Sequence, residues 1–95
     1  MKLLFCKNCH DVFNLNIKQH KTCSCGKTSG HYTDDLNAVY YGEDAIPLGF
    51  MNSKFAEAVV NQPKVGMGKH FTAFVIPEIC PTMKKLNEKN GEEND

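Results

Sequence analysis

Five cysteines stand at positions 6, 9, 23, 25 and 80, and the first four form two close pairs, Cys6-x2-Cys9 and Cys23-x-Cys25, with thirteen residues between them. Paired thiols can form disulfides, act as a redox dithiol, or bind a metal ion. A disulfide framework does not persist in a reducing cytosol, and an odd count strands one thiol even where oxidation is possible. A thioredoxin-like dithiol needs a helix N-terminus to lower the pKa of its first thiol, and no strand-then-helix pattern follows Cys9. Two close pairs do suit a tetrahedral Zn²⁺, because each pair spans one edge of the tetrahedron at metal–sulfur distances of about 2.3 Å.

The expected site is therefore one structural zinc ion on Cys6, Cys9, Cys23 and Cys25. His20-Lys21-Thr22-Cys23 restores a two-residue spacing, so His20 is an alternative ligand beside Cys6, Cys9 and either Cys23 or Cys25; His10 is a further candidate. Imidazole and thiolate both suit zinc, and chemistry does not choose between these sets. Catalytic zinc would need an open position and a placed acid or base, as in deaminases with a His-x-Glu pair. That pair occurs nowhere in the chain.

Residues 1–33 resemble the zinc-ribbon and zinc-knuckle class, in which two knuckles at hairpin tips clamp one zinc. Cys6-Lys7-Asn8-Cys9 matches the first knuckle, whereas Cys23-Ser24-Cys25-Gly26-Lys27 has one intervening residue where the class has two. The resemblance implies a metal-stapled, non-enzymatic fold. In overall style the chain is similar to small proteins of phages and prophages: short, rich in lysine and asparagine, with a charged ending. That implies a zinc-binding interaction module that docks on a protein or nucleic acid, as a phage-type regulator or inhibitor of a host factor does.

A second constellation is Gly66-Met67-Gly68-Lys69-His70, where glycines let backbone N–H groups and a lysine approach an anion. It lacks the Walker spacing, and a strand-like run follows it. Gly66, Gly68, Lys69 and His70, with Gly49, Tyr40 and Tyr41 as neighbours, make the alternative function a small-ligand binder for an anionic metabolite or nucleotide. Charge suggests a third surface: residues 1–33 carry five lysines against one aspartate, a net of +4, and residues 34–50 a net of −4. Lys7, Lys18, Lys21 and Lys27, with Phe13, His20, His31 and Tyr32, could hold a nucleic-acid single strand by phosphate contact and stacking. Cys80 reads as a small apolar residue, and adjacent Asp34 and Asp35 would point to opposite faces of a strand, so neither recommends catalysis.

The elements that must position these groups are short. Leu3–Phe5 and 12–17 read as the strands of a ribbon hairpin, with a third strand at His31–Thr33. Residues 36–41 and 45–51 flank the turn Gly42-Glu43-Asp44 and read as a second hairpin, Pro47 placing its latter segment on a sheet edge or demoting it to an extended loop. Phe55, Ala58, Val59 and Gln62 repeat at helical spacing over 53–62, with Asn52 or Ser53 as cap and Pro63 as stop. Residues 70–76 are apolar on both faces and read as a central strand. The expected architecture is α+β: an N-terminal zinc ribbon running into a small antiparallel sheet with one short helix.

In domain terms this is one unit over 1–81, with the ribbon over 1–33 and the sheet and helix over 34–81, followed by a flexible charged tail over 82–95. Ninety-five residues at 41% apolar and 23% charged, with zero net charge, fit one small domain with no global pull toward polyanions. No apolar run approaches the roughly 20 residues of a membrane helix, and the first residues are too short for a signal peptide, so a cytoplasmic address without a membrane partner is expected. Size gives the metal its purpose. A core this small supplies a few kcal/mol, whereas structural zinc contributes on the order of 10 kcal/mol of apparent binding free energy in small peptides.

Overall fold

A computed structural model describes residues 1–86 as eight strands and one helix, arranged in two four-stranded sheets. In the first sheet, β1 (Lys2–Cys6) pairs antiparallel with β2 (Val12–Asn14) on one side and with β6 (Ala45–Phe50) on the other, and β7 (Ala73–Val75) extends beyond β6. The second sheet runs β3 (Lys21–Thr22), β4 (Ser29–Tyr32), β5 (Ala38–Tyr41) and β8 (Met83–Lys85); β5 and β8 are parallel and the other pairs antiparallel. The α+β class is as the sequence suggests.

Strand alternation builds one core between the sheets. Leu4 of the first sheet and Ala38, Tyr40 and Met83 of the second are buried together with Leu15, Ala45 and Ile76. The sheets approach closely where Leu4 lies on Gly30: a Cβ there would stand 2.9 Å from Leu4 Cδ1 and 2.7 Å from the Val39 carbonyl oxygen. A side chain on residue 30 would push the sheets apart.

Several expectations are corrected by this topology. The segments 36–41 and 45–51 do not form a hairpin, because β5 and β6 belong to different sheets. Gly42 makes the crossing possible with φ 117°, and the turn packs on the Lys27 carbonyl while the Lys7 N–H donates to Asp44 O at 2.8 Å. Pro47 sits in a central strand. Neighbouring N–H and C=O of one antiparallel residue point to the same side; the Pro47 carbonyl accepts from Ile76 N–H at 2.9 Å, just past the end of β7, so its missing donor faces the end of that strand rather than its ladder. Conversely, the run 70–76 shortens to β7 at a sheet edge, with all three of its residues exposed.

The hairpin of 12–17 ends at Asn14, and the second knuckle carries two strands, β3 and β4, where one was expected. Helix α1 spans Asn52–Val60; its N-cap is Met51 without a side-chain bond, and Asn52 Oδ1 accepts instead from the Met1 amino group at 2.7 Å. Met83, placed by sequence in the tail, is fully buried, and Leu86 N–H donates to Tyr40 O at 2.7 Å. The rest of that expected tail, 87–95, lies outside the described residues. Among the described residues no helix is long and apolar enough to cross a membrane.

Candidate metal centre

Each cysteine pair sits on a six-residue loop at the end of a strand. In the first, Cys6 N–H donates to Asp11 O at 2.9 Å; in the second, Cys23 N–H donates to Thr28 O at 2.8 Å. The loops also turn by the same device. The residue after the second cysteine takes a positive φ, 64° at His10 and 85° at Gly26, and its N–H returns to the carbonyl of the first cysteine, at 2.7 Å to Cys6 and 3.1 Å to Cys23. The second loop thus reaches its turn one residue earlier, so the shortened Cys-x-Cys spacing still closes a loop of equal length. Glycine enters the left-handed region without a steric penalty. Histidine does not, and the His10 ring stacks on Phe5 with centroids 5.8 Å apart and planes at 11°.

The two loops face each other and bring Cys6, Cys9, Cys23 and Cys25 together, with all four sulfurs within 4.8 Å of one another. The Cys25 sulfur lies 3.7 Å from that of Cys6 and 3.6 Å from that of Cys23. A tetrahedral ion with metal–sulfur bonds of about 2.3 Å has sulfurs about 3.8 Å apart; the two Cys25 separations match that edge, and the wider pairs need to close by at most about 1 Å to complete the tetrahedron. Cys6 and Cys23 are buried, Cys9 is half-buried and Cys25 exposed.

Neighbouring dipoles favour thiolate here. Burial pushes the Cys23 thiol up, but the Thr28 N–H, 3.3 Å from its sulfur, and the Cys25 and Cys6 groups outweigh this and hold it at about 6. The Thr28 side chain is the first reason that the Cys6 thiol also lies below its ordinary value, burial opposing it. The Thr28 hydroxyl is buried and makes no hydrogen bond of regular geometry. Burial raises the Cys9 thiol.

One carboxylate ties the loops together. Asp11 Oδ2 accepts from Ser24 N–H at 3.0 Å and from Ser24 Oγ–H at 3.1 Å, spanning the two knuckles. Sequence reasoning passes over Asp11 and Thr28 because neither lies in a cysteine spacing or an apolar period. His20 does not join the cysteine cluster; its Nδ1 lies 2.7 Å from that of His31, and its ring meets Tyr41 edge-on with centroids 5.6 Å apart. Lys7, Lys18 and Lys27 are exposed, while Lys21 Nζ donates to Asn14 Oδ1 at 2.6 Å and Lys2 Nζ stands 5.5 Å over the Tyr32 ring.

The Gly66–His70 segment forms part of a different feature. A groove of about 430 Å³ is lined by Phe55, Ala58 and Val59 of α1 and by Gly66, Gly68, Lys69 and Phe71, among others. His70, Gly49, Tyr40 and Tyr41 are not part of that lining. Tyr40 is in the core, and Gly49 lies beneath the Phe74 ring. In comparisons with protein-family models, with curated proteins and with solved structures, nothing matches this chain.

Proposed function

We propose that this chain is a non-enzymatic interaction module whose fold is stapled by one structural zinc ion on Cys6, Cys9, Cys23 and Cys25. The convergence of four sulfurs within 4.8 Å carries this reading. Zinc suits the donor set because thiolates in a closed tetrahedron are its preferred structural environment, and such a closed shell leaves no position for substrate. The metal would join a loop of the first sheet to a loop of the second, a position suited to holding the sheets in register rather than to turnover.

The partner is a protein or a single-stranded nucleic acid, in a role of the phage-regulator kind. Exposed Lys7 and Lys27, one on each knuckle loop, support the nucleic-acid form. Fluorescence anisotropy of zinc-loaded protein with single-stranded DNA and RNA tests it. Affinity that falls steeply with salt and is weakened by Lys7→Glu and Lys27→Glu supports nucleic acid. Absence of binding at low salt removes nucleic acid and leaves the protein partner, and a zinc-dependent turnover of any substrate would overturn the non-enzymatic reading altogether.

The groove favours one second reading. Its aromatic and aliphatic walls, with Lys64 and Lys69 in the lining, suit a small ligand with an apolar body and an anionic group better than a free nucleotide. A thermal-shift series of medium-chain carboxylates against wild type and Lys69→Ala tests it. A Tm rise in wild type that is smaller in Lys69→Ala supports the reading, and a flat series removes it.

A further inference from the structure

We infer that His20 and His31 form a second metal site, a two-imidazole clip for a divalent first-row transition ion on the outer face of the second sheet. The strand register creates it. Lys21 pairs with Gly30 and Thr22 with Ser29, so His20, one residue before β3, falls directly opposite His31 in β4. Side chains opposite each other on antiparallel strands leave from the same face. The two Nδ1 atoms stand 2.7 Å apart, with ring centroids at 4.9 Å.

That separation is close to what an ion requires. Two nitrogens bound in cis at about 2.0–2.1 Å and a right angle lie about 2.9 Å apart, so the pair needs to open by a few tenths of an ångström. Without metal, one Nδ1 donates a hydrogen to the other. For both Nδ1 lone pairs to face the ion, that hydrogen must sit on Nε2 of the same ring; no electron changes hands and the neutral pair releases no proton. Water fills the remaining positions. Imidazole donors suit nickel, copper and zinc, which the harder oxygen-seeking ions do not match.

The surroundings favour the arrangement. Tyr41 packs edge-on against His20 and restricts its ring, at 5.6 Å between centroids. The neighbouring Lys21 ammonium is engaged by Asn14 Oδ1 at 2.6 Å. His20 is exposed and His31 half-buried, so an ion can reach the pair from solvent. The clip is separate from the cysteine cluster, which His20 and His31 do not enter.

The test is a Ni²⁺ titration of protein purified with its zinc, with bound nickel and zinc counted in the same samples. One nickel per chain is expected in wild type, with zinc retained, and at least a tenfold weaker uptake in His20→Ala and in His31→Gln. In wild type, paramagnetic nickel should broaden the imidazole resonances of His20 and His31 ahead of those of His10 and His70, a readout that needs no variant. Nickel uptake unchanged in both variants, one zinc released for each nickel bound, or no uptake by wild type would each overturn the clip. Because the zinc count is independent of the nickel count, failure of the cysteine site and failure of the clip give different results.

Discussion

The knuckle end of this protein and its helix end are built on opposite principles. The knuckles are tied by directional polar contacts: paired loop hydrogen bonds, an N–H on the Cys23 sulfur, and Asp11 holding Ser24 across the gap. At the other end, α1 buries Ala58, the three rings of Phe50, Phe55 and Phe71 pack together, and Val60, Val65 and Met67 remain more than four-fifths exposed. The first end is determined by directional bonds and the second by modest apolar burial. The contrast places the determinants of the fold at the knuckles and leaves the helix end tolerant.

The largest effect expected from that contrast is loss of a ligand. Cys6→Ser or Cys23→Ser removes a buried sulfur donor, and with structural zinc contributing on the order of 10 kcal/mol, the loss exceeds the stability of a domain this size. Far-ultraviolet circular dichroism and proton NMR should show an unfolded chain at 25 °C. Chelation of the wild type should give the same spectra.

Next is the seam between the sheets. Leu4→Ala opens a cavity at a fully buried site and should cost about 2–5 kcal/mol in urea denaturation of the zinc-loaded protein. Gly30→Ala, which drives a methyl into the same contact with Leu4 and Val39, should cost about 1–3 kcal/mol.

A smaller effect is expected at the bridge between the loops. Asp11→Ala removes both bonds to Ser24 and should cost about 1–2 kcal/mol, with faster zinc transfer to a chelator measured by stopped flow. Asp11→Asn should restore part of it, since its side-chain oxygen can still accept.

The smallest effect belongs to the helix end. Val60→Lys and Val65→Lys should stay within about 0.5 kcal/mol of wild type by denaturation and keep one zinc per chain. A loss there comparable to that of Leu4→Ala would break the comparison, because it would mean that the exposed apolar face supports the fold.

Legibility in the sequence follows the same division. The cysteine cluster could be read from Cys6, Cys9, Cys23 and Cys25, because ligand spacing is a local property. The equal closure of the two loops could not, since it depends on His10 adopting the left-handed turn that Gly26 adopts freely. The α+β class and α1 were legible from period. Pairing was not: Gly42-Glu43-Asp44 looks like a hairpin turn in isolation, and only the packing of Gly42 on Lys27 carries the chain from one sheet to the other. Pro47 misleads for a related reason, because its missing donor matters only on the side where β7 has ended. His31 gives no signal as a metal ligand until the register sets it opposite His20.

The proposed zinc staple requires that four thiolates hold one ion and that neither His10 nor His20 belongs to the set. Native mass spectrometry with elemental analysis, after dialysis against metal-free buffer, tests this on wild type, Cys25→Ser, His10→Gly and His20→Ala. One zinc per chain is expected in the wild type and in both histidine variants, and none in Cys25→Ser. A wild type without zinc, or zinc kept by Cys25→Ser and lost with His20→Ala, would contradict the four-thiolate site.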